Sequence, residues 1–148
     1  MEKKLAPIVV KDIHLLLVEV TEQKVDVKAF QEEKQHKLNV GHKLAHNLED
    51  ERLKLELVFS FNNQIDETLL FFKIDFHFHI AHLANFYELK DKNHPVFSGY
   101  FIATLIGICF STARGIILEK LNNAGIKNVL LPIVSPQEML TNTKSKKD

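Results

Sequence analysis

Two histidines, His77 and His79, have the spacing most suggestive of chemistry in this sequence. Alternate residues of a β-strand share one face, so two imidazoles so placed could hold one metal ion together. The same pair also continues a polar strand face that starts at Lys73 and Asp75, and a solvated face is the simpler interpretation. His82 has the opposite parity. We therefore predict no bound metal and no cofactor, with a pH-responsive surface as the remaining alternative.

The other reactive side chains lack the partners that catalysis needs. Cys109 and Ser111 fall inside a predicted helix, and nothing nearby supplies a base or an oxyanion site. A single cysteine cannot form an intrachain disulfide, so we predict a buried structural thiol. Arg114 is expected to find a carboxylate or to reach water, with contact to a partner as the alternative. No phosphate-binding loop or nucleophile elbow occurs, so we predict no enzymatic activity.

The clearest secondary-structure signal in the sequence is an alternation of apolar and polar side chains with a period of two residues. Residues 53–61 (LKLELVFSF) and 70–80 (LFFKIDFHFHI) alternate apolar with polar side chains. This pattern is typical of half-buried strands, and the short polar segment between them predicts a hairpin. Residues 12–20 predict an earlier strand covered at least partly on both faces, and 38–46 a second strand with Gly41 as a possible bulge. Residues 21–36 are interpreted as a charged crossover loop.

After the fourth strand the apolar pattern becomes helical. Asn93 or His94 is predicted to cap a helix with Pro95 in its first turn, and Gly125 is predicted to end it after Ala124. This helix would have roughly 29 residues and a length of about 44 Å. Its first half is apolar on nearly every side, so one sheet cannot cover it and a second subunit or a ligand is expected to do so.

The apolar run inside this helix is interpreted as too short for a membrane span. The run from Tyr100 to Ala113 covers about 14 residues before Arg114, whereas about 20 are needed to cross a bilayer, so we predict no membrane insertion. The Ser135-Pro136-Gln137-Glu138 sequence is typical of a capping box and predicts a short second helix. We expect one domain over residues 1–140, followed by a flexible basic tail over 141–148.

Composition limits the possible partners. Lys+Arg and Asp+Glu both number 19, so the net charge at pH 7 is zero and no global field attracts nucleic acid or anionic lipid. The first residues, MEKKLAPIVVKDI, lack the apolar core and cleavage site of a secretory signal, so we expect a cytoplasmic protein. Recognition is therefore expected to be local or apolar.

Residues 8–140 resemble the SecB family of chaperones, which hold unfolded preproteins for export. The resemblance rests on the order of the elements and on three segments: residues 36–80, the helical FSTAR at 110–114, and NVLLPIVSPQEML at 128–140. FSTAR stands where the family has Phe-Pro-Tyr-Ala-Arg. The resemblance implies an α+β fold, with a four-stranded antiparallel sheet and one long and one short C-terminal helix on one face. It also implies a homotetramer built as a dimer of dimers through the long helices.

The resemblance further implies an ATP-independent holdase that binds non-native polypeptide in apolar grooves. Family members form these grooves from the crossover, the second strand, the loop between the helices and the last helix. The corresponding residues here are Val27, Phe30, Leu38, Val40, Val129, Leu130, Leu131, Ile133, Met139 and Leu140.

Three departures from the family bear on the partners. The polar sheet face mixes Lys54, Glu56, Lys73 and Asp75 with histidines, whereas family members dock the translocase motor through an acidic face. The chain ends KSKKD, and FSTAR lacks the proline and the tyrosine of the family motif. A SecB-like chaperone with a dedicated partner, such as those that control antitoxins, fits these departures equally well. A carrier of apolar ligands is the third alternative.

Overall fold

An antiparallel sheet of four strands forms the body of the protein. A computed structural model describes residues 7–127 together with Val129 and Leu131. The strands are β1 (Ile13–Val25), β2 (Lys37–Asn47), β3 (Arg52–Asn62) and β4 (Thr68–Ile80). Their order across the sheet is β1-β4-β3-β2, so β3 and β4 are central and β1 and β2 form the edges. Every neighbouring pair is antiparallel, as the sequence predicted.

The apolar face of the sheet follows directly from the alternation in the central strands. Every second side chain of β3, from Leu53 to Phe61, is at most 4% exposed. The facing residues of β4 are equally buried, and Phe59 stands opposite Phe72 in the register. Burying each such side chain stabilises the fold by about 1.5–3 kcal/mol, so this face forms the core.

One long helix, α2 (Gly99–Asn123), covers this apolar face. Its buried residues recur at helical spacing and include Leu105, Cys109 and Ala113, all fully buried. The Phe110 ring lies 5.6 Å from the Phe59 ring, which joins the helix to β3. Gly125 follows with a φ of 84°, a conformation that glycine adopts without strain and that ends many helices, so the predicted stop is confirmed.

The helix begins later than the sequence predicted. Residues 87–97 form a two-stranded hairpin of β5 (Tyr87–Asp91) and β6 (His94–Phe97), so the predicted caps Asn93 and His94 were wrong. The Asp91 carboxylate accepts hydrogen bonds from the Asn93 amide and the His94 ring, which stabilises the turn. The hydrogen bond from His94, followed by that from the Asn93 amide, lowers the pKa of Asp91 below its ordinary value.

The crossover and the edge strands also differ from the predictions. A short helix, α1 (Val27–Glu32), occupies the predicted loop, and the Asp26 carboxylate caps it by accepting from the Ala29 amide. β2 pairs with β3 without a register shift, so no bulge occurs at Gly41. The irregularities lie in β1, between Leu15 and Leu17 and between Val20 and Glu22.

The prediction that residues 12–20 are at least partly covered on both faces was wrong within the described chain. β1 is an edge strand, and Leu15, Leu16 and Leu17 remain 41%, 47% and 49% exposed. Large apolar side chains in succession along an open strand edge are unusual for a surface that stays in water. This leucine edge, residues 15–17, is therefore a candidate contact surface.

Within the described residues, α2 is long and apolar enough to cross a bilayer by length and composition, so the prediction that this segment is too short for a span was wrong. Core helices of water-soluble proteins meet the same criteria, and one face of α2 is buried against the sheet. The short C-terminal helix predicted from Ser135 and the predicted tail at 141–148 lie outside the described residues.

The cap of α2 allows a direct test of its start. The Ser98 hydroxyl accepts a hydrogen bond of 3.2 Å from the Phe101 amide, which would otherwise lack a helical partner. We expect Ser98→Ala to lower the free energy of unfolding by about 1 kcal/mol. Ser111→Ala, at an exposed position inside the same helix, is the matched control and should cost nothing because alanine favours helix. Urea unfolding followed by circular dichroism measures both, and equal losses would contradict a cap at Ser98.

Candidate functional site

A cleft of about 470 Å³ opens between α1, the edge strand β2 and the segment that follows α2. Five apolar side chains from four different segments line it: Phe30, Leu38, Phe61, Ile126 and Val129. Four polar ones complete the lining: Gln31, Glu33, His36 and Lys127. The cleft therefore combines apolar surface with side chains of both charges.

Phe30 holds the wall of the cleft in place. The Asp26 cap starts α1, which places Phe30 one turn later with 7% of its surface exposed. Its ring meets the Phe61 ring edge-on at 6.0 Å and stacks on the His36 ring at 3.8 Å. The Nε2 of His36 lies 2.9 Å from the carbonyl oxygen of Phe30, so the Nε2–H donates to it. These contacts attach the crossover to the end of β3.

Three of the predicted groove residues come together in this cleft: Phe30, Leu38 and Val129. Val27 and Val40 are half-buried and pack against the core without lining the cleft. Leu131 is 8% exposed and belongs to the core cluster. The other four predicted residues lie outside the described residues: Leu130, Ile133, Met139 and Leu140.

Sequence reasoning missed six of the nine lining residues, among them His36, Phe61 and Ile126. Phe61 ends the alternating run of β3, so the pattern assigned it to the core, where it is also 4% exposed. Ile126 directly follows the helix stop at Gly125, a position that gave no periodic signal. The sequence offered one signal for His36: it is an aromatic ring six residues after Phe30, in a segment that is otherwise rich in charge.

The opposite, polar face of the sheet carries charges of both signs in contact with each other. Lys73 Nζ lies 2.9 Å from Glu56 Oε1 and 3.9 Å from Glu22 Oε1. The hydrogen bond to Glu56, followed by the charge of that carboxylate, raises the pKa of Lys73. Lys54 lies 4.0 Å from Asp75, whose other carboxylate oxygen is buried and has no hydrogen-bond partner among the residues that the structure describes. The face is therefore a mixed network rather than an acidic surface.

His77 and His79 have separate neighbours on this face. His77 Nε2 lies 3.5 Å from Glu19, and His79 Nε2 lies 3.9 Å from Glu51. Within the described part of the chain, no three His, Cys, Asp or Glu side chains are arranged to hold a metal ion. The two histidines therefore lie on the polar face beside different carboxylates.

The remaining candidate side chains lie on α2. Cys109 is buried, as predicted, and burial raises the pKa of its thiol far above the ordinary value. The thiolate that a nucleophile needs is therefore disfavoured at neutral pH. Arg114 is half-exposed, and among residues 7–127 no carboxylate forms an ion pair with it.

Comparison with known proteins gives a structural likeness only. No family model matches the sequence, and no curated protein matches it significantly. Among solved structures, the chain is similar to the Mycobacterium tuberculosis SecB-like chaperone Rv1957, solved in complex with a ChAD peptide from the Rv1956 HigA1 antitoxin. The TM-score is 0.57 at 10% sequence identity, over 85% of this chain and 92% of that one. The protein therefore has the fold of a SecB-like chaperone.

Proposed function

We propose that this protein is an ATP-independent chaperone that binds non-native polypeptide along the cleft beside β2. The observation that carries the proposal is the cleft itself, where Phe30, Leu38 and Val129 meet beside an open strand edge. Transfer of apolar surface from water is non-directional, so such a surface accepts many different apolar side chains. A role without catalysis and a cytoplasmic location belong to the same proposal.

A second candidate is a chaperone dedicated to one partner. The similar structure of Rv1957 contains a peptide from a single antitoxin. The mixed charge of the polar face also supports this candidate, because family members dock the translocase motor through an acidic face. Preprotein clients and motor contact form the export version of the proposal, which this face supports less.

Assembly into a homo-oligomer forms part of the proposal, with a dimer of dimers as the arrangement. The leucine edge of β1 leaves three large apolar side chains exposed. On α2, Tyr100 is 61% exposed and Ile108 is 38% exposed, on the side away from the buried residues. In an assembly of identical chains, both surfaces could be buried against neighbouring subunits. Their exposure in the single chain therefore supports a homo-oligomer.

An aggregation assay separates the two candidate functions. The purified protein is added to several unrelated clients diluted from denaturant, and light scattering follows their aggregation without ATP. A general holdase suppresses aggregation of all of them, whereas a dedicated chaperone protects one chain or none of these. Failure with every client, together with no saturable binding of any unfolded chain, would overturn the chaperone proposal.

Leu38→Asp tests the position of the cleft. Leu38 is half-buried at the open edge, and a carboxylate there would have to lose water when an apolar client side chain covers it. The lost contact is worth about 1.5–3 kcal/mol, so we expect the dissociation constant for an unfolded client to rise about tenfold or more. Fluorescence anisotropy of a labelled client measures this change.

Asn39→Asp is the matched control, because Asn39 is the next residue on the same strand and is exposed on the polar face. It introduces the same charge outside the cleft and should leave client affinity within about twofold of the wild type, as surface substitutions usually do. Equal weakening by both substitutions would place the client elsewhere.

A further inference from the structure

The structure gives His79 a partner that the sequence did not suggest. His79 on β4 stands directly opposite His14 on the edge strand β1. Their Nδ1 atoms lie 3.4 Å apart, and their rings are 10° from parallel with centroids 5.7 Å apart. The two ring nitrogens therefore face each other across the strand pair, far from the cleft residues in the sheet register.

The distance between the two Nδ1 atoms matches the distance between two nitrogen ligands bound to one metal ion. Imidazole nitrogens bind zinc at about 2.0–2.1 Å, so two of them on a tetrahedral ion lie roughly 3.3–3.4 Å apart. In the structure the nitrogens point at each other, and each ring must turn about χ2 for both lone pairs to meet at one ion. That torsion is broad for histidine, so the turn itself costs little. The proton that one Nδ1 donates in the 3.4 Å hydrogen bond between the rings is released or moves to Nε2 of the same ring when the ion binds.

A carboxylate on the far side of His79 favours the tautomer that metal binding needs. Glu51 Oε1 lies 3.9 Å from His79 Nε2, and its other oxygen accepts a hydrogen bond from the Leu83 amide at 3.1 Å. Glu51 is thereby held in place beside the ring. At 3.9 Å this contact is not a hydrogen bond, but the negative charge on that side still favours a proton on Nε2 over Nδ1, which leaves Nδ1 as the electron-pair donor.

We propose that His14 and His79 form a binding site for a divalent late transition-metal ion such as Zn²⁺, with Glu51 orienting His79. Two neutral imidazoles suit zinc, copper and nickel better than magnesium or calcium. No third protein donor converges among the described residues, so water completes the coordination and the ion exchanges readily. The ion would tie the edge strand β1 to β4. This site is separate from the polypeptide-binding cleft and does not depend on it.

The test is a titration of the untagged full-length protein with Zn²⁺ alone, by isothermal calorimetry. We expect one ion per chain, and His14→Gln or His79→Gln should each weaken binding about tenfold or more. His77→Gln is the matched control, because His77 lies on the same strand and face but beside Glu19 instead of a second histidine. It should retain wild-type affinity.

Nitrogen chemical shifts of the histidine side chains supply a second readout. Zinc should move the Nδ1 signals of His14 and His79 and leave those of the other histidines in place. Circular dichroism of each variant without zinc checks that it folds. No zinc binding by the wild type, binding unchanged in His14→Gln, or equal loss in His77→Gln would each overturn the proposal.

Discussion

Replacing Phe59 with alanine is expected to lower the free energy of unfolding by about 3–5 kcal/mol. Phe59 is fully buried on the central strand β3 and stands opposite the equally buried Phe72 of β4. Its ring also lies 5.6 Å from that of Phe110, so it links the sheet to α2. Truncation removes apolar surface and leaves a cavity between the two layers, and both effects destabilise the fold. Urea unfolding monitored by circular dichroism measures the change.

Phe71→Ala provides the matched control for this prediction. Phe71 is the neighbour of Phe72 on β4 but points to the opposite, polar face, where it is only half-buried. The same truncation should there cost about 1 kcal/mol or less, because no cavity forms and the side chain already contacts water. A loss at Phe71 as large as that at Phe59 would contradict the assignment of the two sheet faces.

Lysines introduced together at Leu16 and Leu17 are expected to break the β1 contact of the proposed dimer of dimers and leave pairs of 17.0 kDa chains held through α2. Both leucines lie on the open edge of β1 and are nearly half-exposed in the single chain. Lysine on an edge strand opposes pairing with another strand, because two identical edges then bring like charges together. Light scattering coupled to size-exclusion chromatography measures the mass.

Ile65→Lys is the control for charge and lost apolar surface. Ile65 is 74% exposed in the turn between β3 and β4, away from the β1 edge. This variant should retain the wild-type mass. A wild-type protein with the mass of a single chain would contradict the proposed assembly, and a double lysine variant of wild-type mass would exclude the β1 edge as its contact.

The alternating strands could be predicted from the sequence because their signal is local. In a pleated strand the side-chain direction reverses at every residue. The alternation from Leu53 to Phe61 therefore identifies the buried face of β3 without knowledge of the neighbouring strands. The end of α2 was predictable for a similar reason, since Gly125 adopts a backbone conformation that few other residues tolerate. The start of α2 was not, because Pro95 is compatible with both a first helical turn and an extended edge strand.

The surfaces that carry the proposals depended on the tertiary structure. Because β1 pairs with β4 on one side only, its other side is an open edge that carries the exposed leucines. The same pairing places His14 opposite His79, 65 residues away along the chain. The cleft likewise joins Phe30, Leu38 and Val129, which no periodic pattern connects. Burial within one strand is decided by the period of its own side chains, whereas contacts between strands and helices are decided by strand order and register. Those properties arise from interactions between distant parts of the chain.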